Sequence, residues 1–348
     1  MPAMRPPRPA SLLALCSLLV ITASGQLVQG DAVPLVQGTL HADTAATART
    51  QFVLLGFDAT PGPERSVEDT GFHYIYEAIN RLRAPGRPPN AFTLFISTGL
   101  LQLSPGRRRH SDAERVFEGV LPRNQPVIGY ARSLSVLQAR AANVRELAAR
   151  GVEIGSHAVR HAHGLHFDEA TWRAELADHE RISDLLELPR PLGFRAPFLE
   201  YNDAMYAALS ARGTRYDASR PGMRAWPTRH ASGIWLFSIP TVVLPQGGRA
   251  LFFDDNLREL LLPLAHASGT SGREAERHID DAYYQAAVAE FQERYRGERA
   301  PFLISGHGNF RRGVLRLMRN VCGLPDVRCA TFTEAVAYLD AHPELAGR

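Results

Sequence analysis

Five side chains able to move protons, clamp a carboxylate or hold a metal follow short apolar runs of this sequence. Asp58 follows QFVLLGF (51–57), and Ser156-His157 follows VEIG (152–155), with His161 four residues further on. Arg195 follows Leu192-Gly193-Phe194, and His307 sits between Gly306 and Gly308 after PFLIS (301–305). A carboxylate in such a place can take a proton, and an imidazole can give or take one near neutral pH. A guanidinium can clamp a carboxylate, and two imidazoles four residues apart on one helical face can share a metal. Each has a plainer reading as well. An aspartate after a strand commonly begins a turn, and a histidine between glycines can be a loop residue. His163 and His166 show that the stretch around the HxxxH pair is simply rich in histidine.

The elements that would position these groups alternate along the chain. Apolar, strand-like runs occur at 51–57, 91–97 (AFTLFIS), 152–155, 233–243 (GIWLFSIPTVV) and 301–305. Between them, Leu134, Leu137, Ala141, Val144 and Leu147 recur at helical steps within 133–150, and Gly151 stops that helix. Trp172, Leu176, His179, Ile182 and Leu185 do the same within 169–188. Short strands alternating with helices predict βα units around a mostly parallel sheet, hence a single α/β domain of barrel-like form. In such folds chemistry gathers at the C-terminal ends of the strands. The five residues stand there.

Composition narrows the chemistry. The 348 residues include 39 Lys plus Arg against 36 Asp plus Glu, and every one of the 39 is arginine. That agrees with a GC-rich coding sequence. Without lysine there is no Schiff-base amine, no P-loop lysine and no kinase strand lysine. Nearly balanced charge argues against a nucleic-acid partner. Arg107, Arg108, Arg109 and His110 read as a solvated loop. At the N-terminus, Arg5 and Arg8 precede the apolar run at 11–23, followed by Ala23-Ser24-Gly25. This is the pattern of a secretory signal over 1–25, too short to span a membrane, with 26–50 as an extension before the domain at 51–342. Leu15 is too bulky for lipobox cleavage before Cys16. The expected location is outside the cytoplasm, periplasmic or secreted. There Cys322 and Cys329 read as a disulfide closing a short loop; their spacing does not suit zinc.

Taken in order, GFDA (56–59), TLFIST (93–98), GVEIGSHAVRH (151–161), GFRAPF (193–198), YDAS (216–219) and SGHG (305–308) resemble the polysaccharide deacetylase family, carbohydrate esterase family 4. The likeness spans about residues 50–340. RAPFLEYN, GIWLFSIP, FDDN and VCGLPDVRCATFTE resemble its chitin-deacetylase-like branch. The resemblance implies a distorted, incomplete (β/α) barrel that removes N-acetyl, less often O-acetyl, groups from a sugar polymer. It implies a divalent metal on His157 and His161, usually Zn2+, with Co2+, Ni2+ or Mn2+ as alternatives. Asp58 would be the base, Arg195 its clamp, His307 the general acid and Asp254 the residue that orients His307.

One departure matters: the family usually places two aspartates after the first strand, and here the second position is Ala59. A methyl group cannot ligate, which leaves fewer than the three protein ligands expected of catalytic zinc. Asp58 could move onto the metal, with water, Glu64 or Asp69 as base. The site could bind metal weakly through two histidines and extra waters. Or the chain could be a carbohydrate-binding relative that has lost its metal. A further reading, an amidohydrolase of small cyclic substrates, is disfavoured by the export signal. Among the aromatics, Trp226 in AWPTRH is the candidate for stacking on a sugar, while Trp172, Trp235 and His179 read as core or boundary residues.

Overall fold

The computed structural model describes residues 50–58, 71–81, 89–105, 110–121, 130–222, 224–324 and 326–348. The expected signal and extension, together with Ala59, Glu64, Asp69 and Arg107–Arg109, lie outside the described residues.

Strand β1 (Gln51–Asp58) is buried on both faces and sets the plan. Its alternate residues divide between two cores. Val53, Leu55 and Phe57 join the layer of α1 (Gly71–Asn80), α3 (Leu134–Ala149), α7 (Gly272–Arg296) and α8 (Arg311–Val321). Phe52 and Leu54 face the other way, toward Phe95, Tyr216, Phe237 and Phe332. Asp58 has the parity of Phe52 and Leu54, so its carboxylate leaves the strand on that second side.

Parallel neighbours flank β1: β2 (Thr93–Ile96), β9 (Phe302–Gly306) and β10 (Val327–Ala330). The sheet continues in parallel from β2 through β3 (Glu153–Ser156), β4 (Gly193–Phe194) and β5 (Tyr216–Gly222) to β7 (Trp235–Val243). The antiparallel strands β6 (Thr228–Arg229) and β8 (Arg249–Leu251) then close on β7. Helices α2 (Asp112–Arg115), α4 (Glu169–Leu185), α5 (Asp203–Ser210), α6 (Asp254–Ala267) and α9 (Phe332–Ala341) complete the order of elements. The result is the expected incomplete α/β barrel, a curled sheet with helices outside it.

The expected strands and the helices at 133–150 and 169–188 appear within a few residues of their predicted limits. Ser133 and Asp168 cap the two helices by accepting the Val136 and Thr171 N–H groups. Cys322 and Cys329 are joined, with Cα atoms 5.5 Å apart. Trp235 is core, as expected.

Trp226 requires a correction. It is 1 % exposed, its indole N–H donates to the Glu298 carbonyl at 2.8 Å, and its ring stacks near Tyr338. It therefore offers no face to a sugar. The reason is tertiary: Tyr338 and Glu298, remote in sequence, cover a tryptophan whose own neighbours are polar. The packed chain also runs past residue 342, since Leu345 is buried and the Arg348 carbonyl accepts the Trp226 N–H. Among the described residues, no helix is long and apolar enough to cross a membrane.

Candidate active site

Arg195, at the end of β4, is fully buried and occupied on every side. Its Nη1 donates to Asp58 Oδ1 at 2.8 Å and to the Gly56 carbonyl at 2.9 Å. Nε donates to the Ala218 carbonyl at 3.0 Å, and Nη2 to Ser305 Oγ at 3.1 Å. The guanidinium also lies 4.4 Å from the centre of the Phe95 ring. Gly56 is required by this packing, because a Cβ there would fall 2.7 Å from Arg195 Nη2. One planar cation thus links the ends of β1, β5 and β9. It holds Asp58 as an ion pair away from bulk water.

The backbone behind Arg195 is equally well fixed. A register shift between Asp217 and Arg220 interrupts the pairing of β5 with β7. Ala218 and Ser219 are thereby free to serve β4. Ser219 Oγ accepts the Ala196 N–H at 2.7 Å and donates to buried Asp217, which also receives the Tyr206 hydroxyl at 2.9 Å. Burial raises the Asp217 carboxyl to about 6, against the opposing pull of the Ser219 and Tyr206 hydroxyls.

His157 and His161 follow β3, but on a loop. The helical face expected for the HxxxH pair is absent: Ala158 and His161 have φ of +56° and +52°, in the left-handed region. The backbone N–H groups that a helix would use internally go elsewhere. Glu175 of α4 accepts from Val159 N at 3.1 Å and Arg160 N at 3.4 Å, and it ion-pairs with the Arg160 side chain. Ser97 Oγ donates to the His157 carbonyl at 2.8 Å, while Thr98 N and Gly99 N donate to the Ala158 and Val159 carbonyls. This bracing puts the two rings edge-on with centres 4.8 Å apart.

His157 Nδ1 lies 2.7 Å from the Arg195 carbonyl, which fixes the proton on that nitrogen and directs Nε2 outward. His157 Nε2 and His161 Nδ1 are both buried without a hydrogen-bond partner. Burial lowers His157 to about 4 and lowers His161 as well, the Asp58 charge opposing in both. Neutral imidazoles with orphaned nitrogens fit a divalent metal. The expected third ligand does not join them. Among the described residues, only Asp254, Asp255 and His307 bring three donor atoms of His, Cys, Asp or Glu within 4.8 Å of one another. Asp58 Oδ1 instead accepts from Arg195 Nη1 at 2.8 Å.

His307 leaves β9 with its ring held by α6. Asp254 Oδ2 accepts the His307 and Asn309 N–H groups, both at 2.8 Å, and Asp255 Oδ2 lies 3.0 Å from His307 Nδ1. Gly306 has φ +150°, and a Cβ there would fall 2.1 Å from Asp254 Cγ. Burial by itself would lower the imidazole, but Asp254, Asp58 and Asp255 raise it to about 9. The Asp58 charge favours the protonated form of His157, His161 and His307 alike.

The structure therefore brings Asp58, Arg195, His157, His161, His307 and Asp254 to one end of the sheet and leaves Trp226 out. Sequence reasoning overlooked Glu175, Ser219, Asp255 and Phe198. Phe198 is 42 % exposed, edge-on to His161 at 4.7 Å and stacked on His163 at 3.9 Å. It lies in the GFRAPF motif itself, and an aromatic beside the clamp arginine was the available signal.

Comparison with known proteins agrees with this picture. The sequence profile of the family described as Polysaccharide deacetylase matches residues 124–216, the stretch that carries His157, His161 and Arg195. A search of curated proteins yields no match. Among solved structures, one from Mycobacterium smegmatis, named for the polysaccharide deacetylases, is similar with a TM-score of 0.53 at 15% identity, covering 86% of this chain and 93% of the other. Another so named, from Pseudomonas aeruginosa PAO1, gives 0.50 at 12% identity, covering 84% and 92%. These two likenesses bear out the fold.

Proposed function

We propose that this chain, a polysaccharide deacetylase by its profile match and its fold, hydrolyses acetyl groups, chiefly N-acetyl and less often O-acetyl, on an extracytoplasmic polysaccharide or oligosaccharide in a metal-dependent reaction. The observation that carries the reading is the buried Arg195–Asp58 pair at 2.8 Å, set among three imidazoles that all feel the Asp58 charge. A binding module has no need to bury a carboxylate against an arginine beside two orphaned imidazole nitrogens.

A divalent cation held by His157 and His161 supplies, when bound, polarisation of the acetyl carbonyl and acidification of water. Asp58 takes the proton of the attacking water, paired with and aimed by Arg195. His307, held as imidazolium by Asp254 and Asp255, gives a proton to the leaving amine. Phe198, not Trp226, presents an aromatic surface beside the site for a sugar ring. With Ala59 in place of the family's usual second carboxylate, His157 and His161 are the side chains that would hold the metal.

The test is acetate release from N-acetylglucosamine oligomers and peptidoglycan, measured beside the metal content of the purified protein. Release that stops with a chelator and collapses in His157→Ala, with the circular dichroism spectrum unchanged, is the expected result. Metal-free protein that binds the oligomers and releases no acetate identifies the carbohydrate-binding relative instead.

A further inference from the structure

We propose that Asp254, Asp255 and His307 form a second divalent-cation site, distinct from the His157–His161 pair, whose filling takes His307 out of proton transfer. The binding claim stands by itself; its inhibitory consequence rests on the role given to His307 above.

Each carboxylate of this cluster uses one oxygen to fix its position and presents the other to the ring. Asp254 Oδ2 is tied by the His307 and Asn309 N–H groups. Its Oδ1 has no hydrogen-bond partner, although the residue is 3 % exposed, and it stands 3.6 Å from His307 Nδ1. Asp255 Oδ1 is tied by the Asn309 side chain, and its Oδ2 stands 3.0 Å from the same Nδ1. The three donor atoms lie within 4.8 Å of one another.

Ligands about 2.0–2.2 Å from a tetrahedral zinc are about 3.4 Å apart, close to both separations from Nδ1. Two oxygens and one imidazole nitrogen are also the ligand count of an open zinc site, with a fourth position left for water. The N-terminus of α6, which carries both aspartates in its first turn, offsets part of their mutual repulsion. A buried carboxylate oxygen without a donor is costly unless something meets it. A cation meets it.

Binding places the cation on Nδ1 and makes His307 a ligand. His307 then has no readily transferable proton for the leaving amine. The consequence is a rate that falls as this site fills. General acid catalysis contributes about 10²–10⁴-fold, so saturation of the second site lowers acetate release by about 100-fold or more.

The test uses full-length protein, stripped of metal and titrated with Zn2+ by calorimetry, with Co2+ absorption as a second readout. Wild type should bind two ions, and both Asp255→Asn and the double variant His157→Ala/His161→Ala should bind one. Acetate release by wild type should fall in step with filling of the site that Asp255→Asn removes. A double variant that binds no ion, or an Asp255→Asn protein that still binds two, overturns the second site and leaves the proposed function standing. If wild type binds a single ion that survives the double variant and is lost in Asp255→Asn, the cluster holds the metal and the proposed function fails.

Discussion

At the scale of single residues, the site rests on Arg195, whose surroundings leave it no alternative geometry. Removal leaves the Asp58 carboxylate buried without its counter-charge, and takes one donor from each of the Gly56 and Ala218 carbonyls. Breaking a buried ion pair from one side costs about 3–5 kcal/mol. Arg195→Ala should lose stability of that order in denaturant unfolding, and a change below about 1 kcal/mol would show that water replaces the guanidinium. Lysine should not substitute, since one ammonium cannot reach Asp58, Ala218 and Ser305 together. His307 carries the pH dependence. Burial disfavours its charged form, but Asp254, Asp58 and Asp255 prevail and bring it to about 9. A raised histidine stays protonated further into alkali, so acetate release should hold through neutrality and fall as pH passes about 9. With one equivalent of metal bound, Asp254→Asn should move that descending limb toward the ordinary value near 6.5. A limb that stays in place would assign it to another group.

At the scale of elements, the strands and long helices were legible because burial imposes short periods on them. The α3 and α4 stripes record which side faces the core, and the unbroken apolar run of β1 records burial on both faces. The loop from His157 to His161 was not legible. A four-residue spacing is the signature of a helix, yet the partner of this loop lies on another element and leaves no local trace. Glu175 takes the N–H groups of Val159 and Arg160, and the turn after β2 takes the carbonyls. Trp226 misled for a similar reason, covered by α9 and by the turn after α7. The bracing is open to test. Glu175→Gln keeps the shape but loses the charge facing Arg160, and the loop should loosen. Outer-shell partners of metal sites are worth about 10–100-fold in affinity. Zn2+ binding at the histidine pair should weaken by that factor, measured by competition with a chromophoric chelator. Unchanged affinity with lowered stability would confine Glu175 to folding.

At the scale of the whole molecule, candidate site groups from four regions far apart in the chain meet because their strands are neighbours in one mostly parallel sheet. His307 leaves β9, Asp58 β1, His157 β3 and Arg195 β4, and only β2 separates β1 from β3. This convergence was legible in outline, since a βα alternation places polar residues at the same sheet edge. Asp255 was not, because its role depends on α6 packing beside β9. The far side of β1 is held by β10, where Val53 is the partner of Cys329. The bond from Cys329 to Cys322 ties that strand to the end of α8. A cross-link over seven positions limits mainly the unfolded chain, and loop entropy for so short a span gives about 2–3 kcal/mol. Reduction, or Cys322→Ser with Cys329→Ser, should lower unfolding free energy by that amount. Thiol titration of denatured wild-type protein should find neither cysteine free. Metal content should not change, because the bond lies at the opposite end of β1 from Asp58. A loss of metal on reduction would show instead that the strand end carrying the base depends on the anchor at its start.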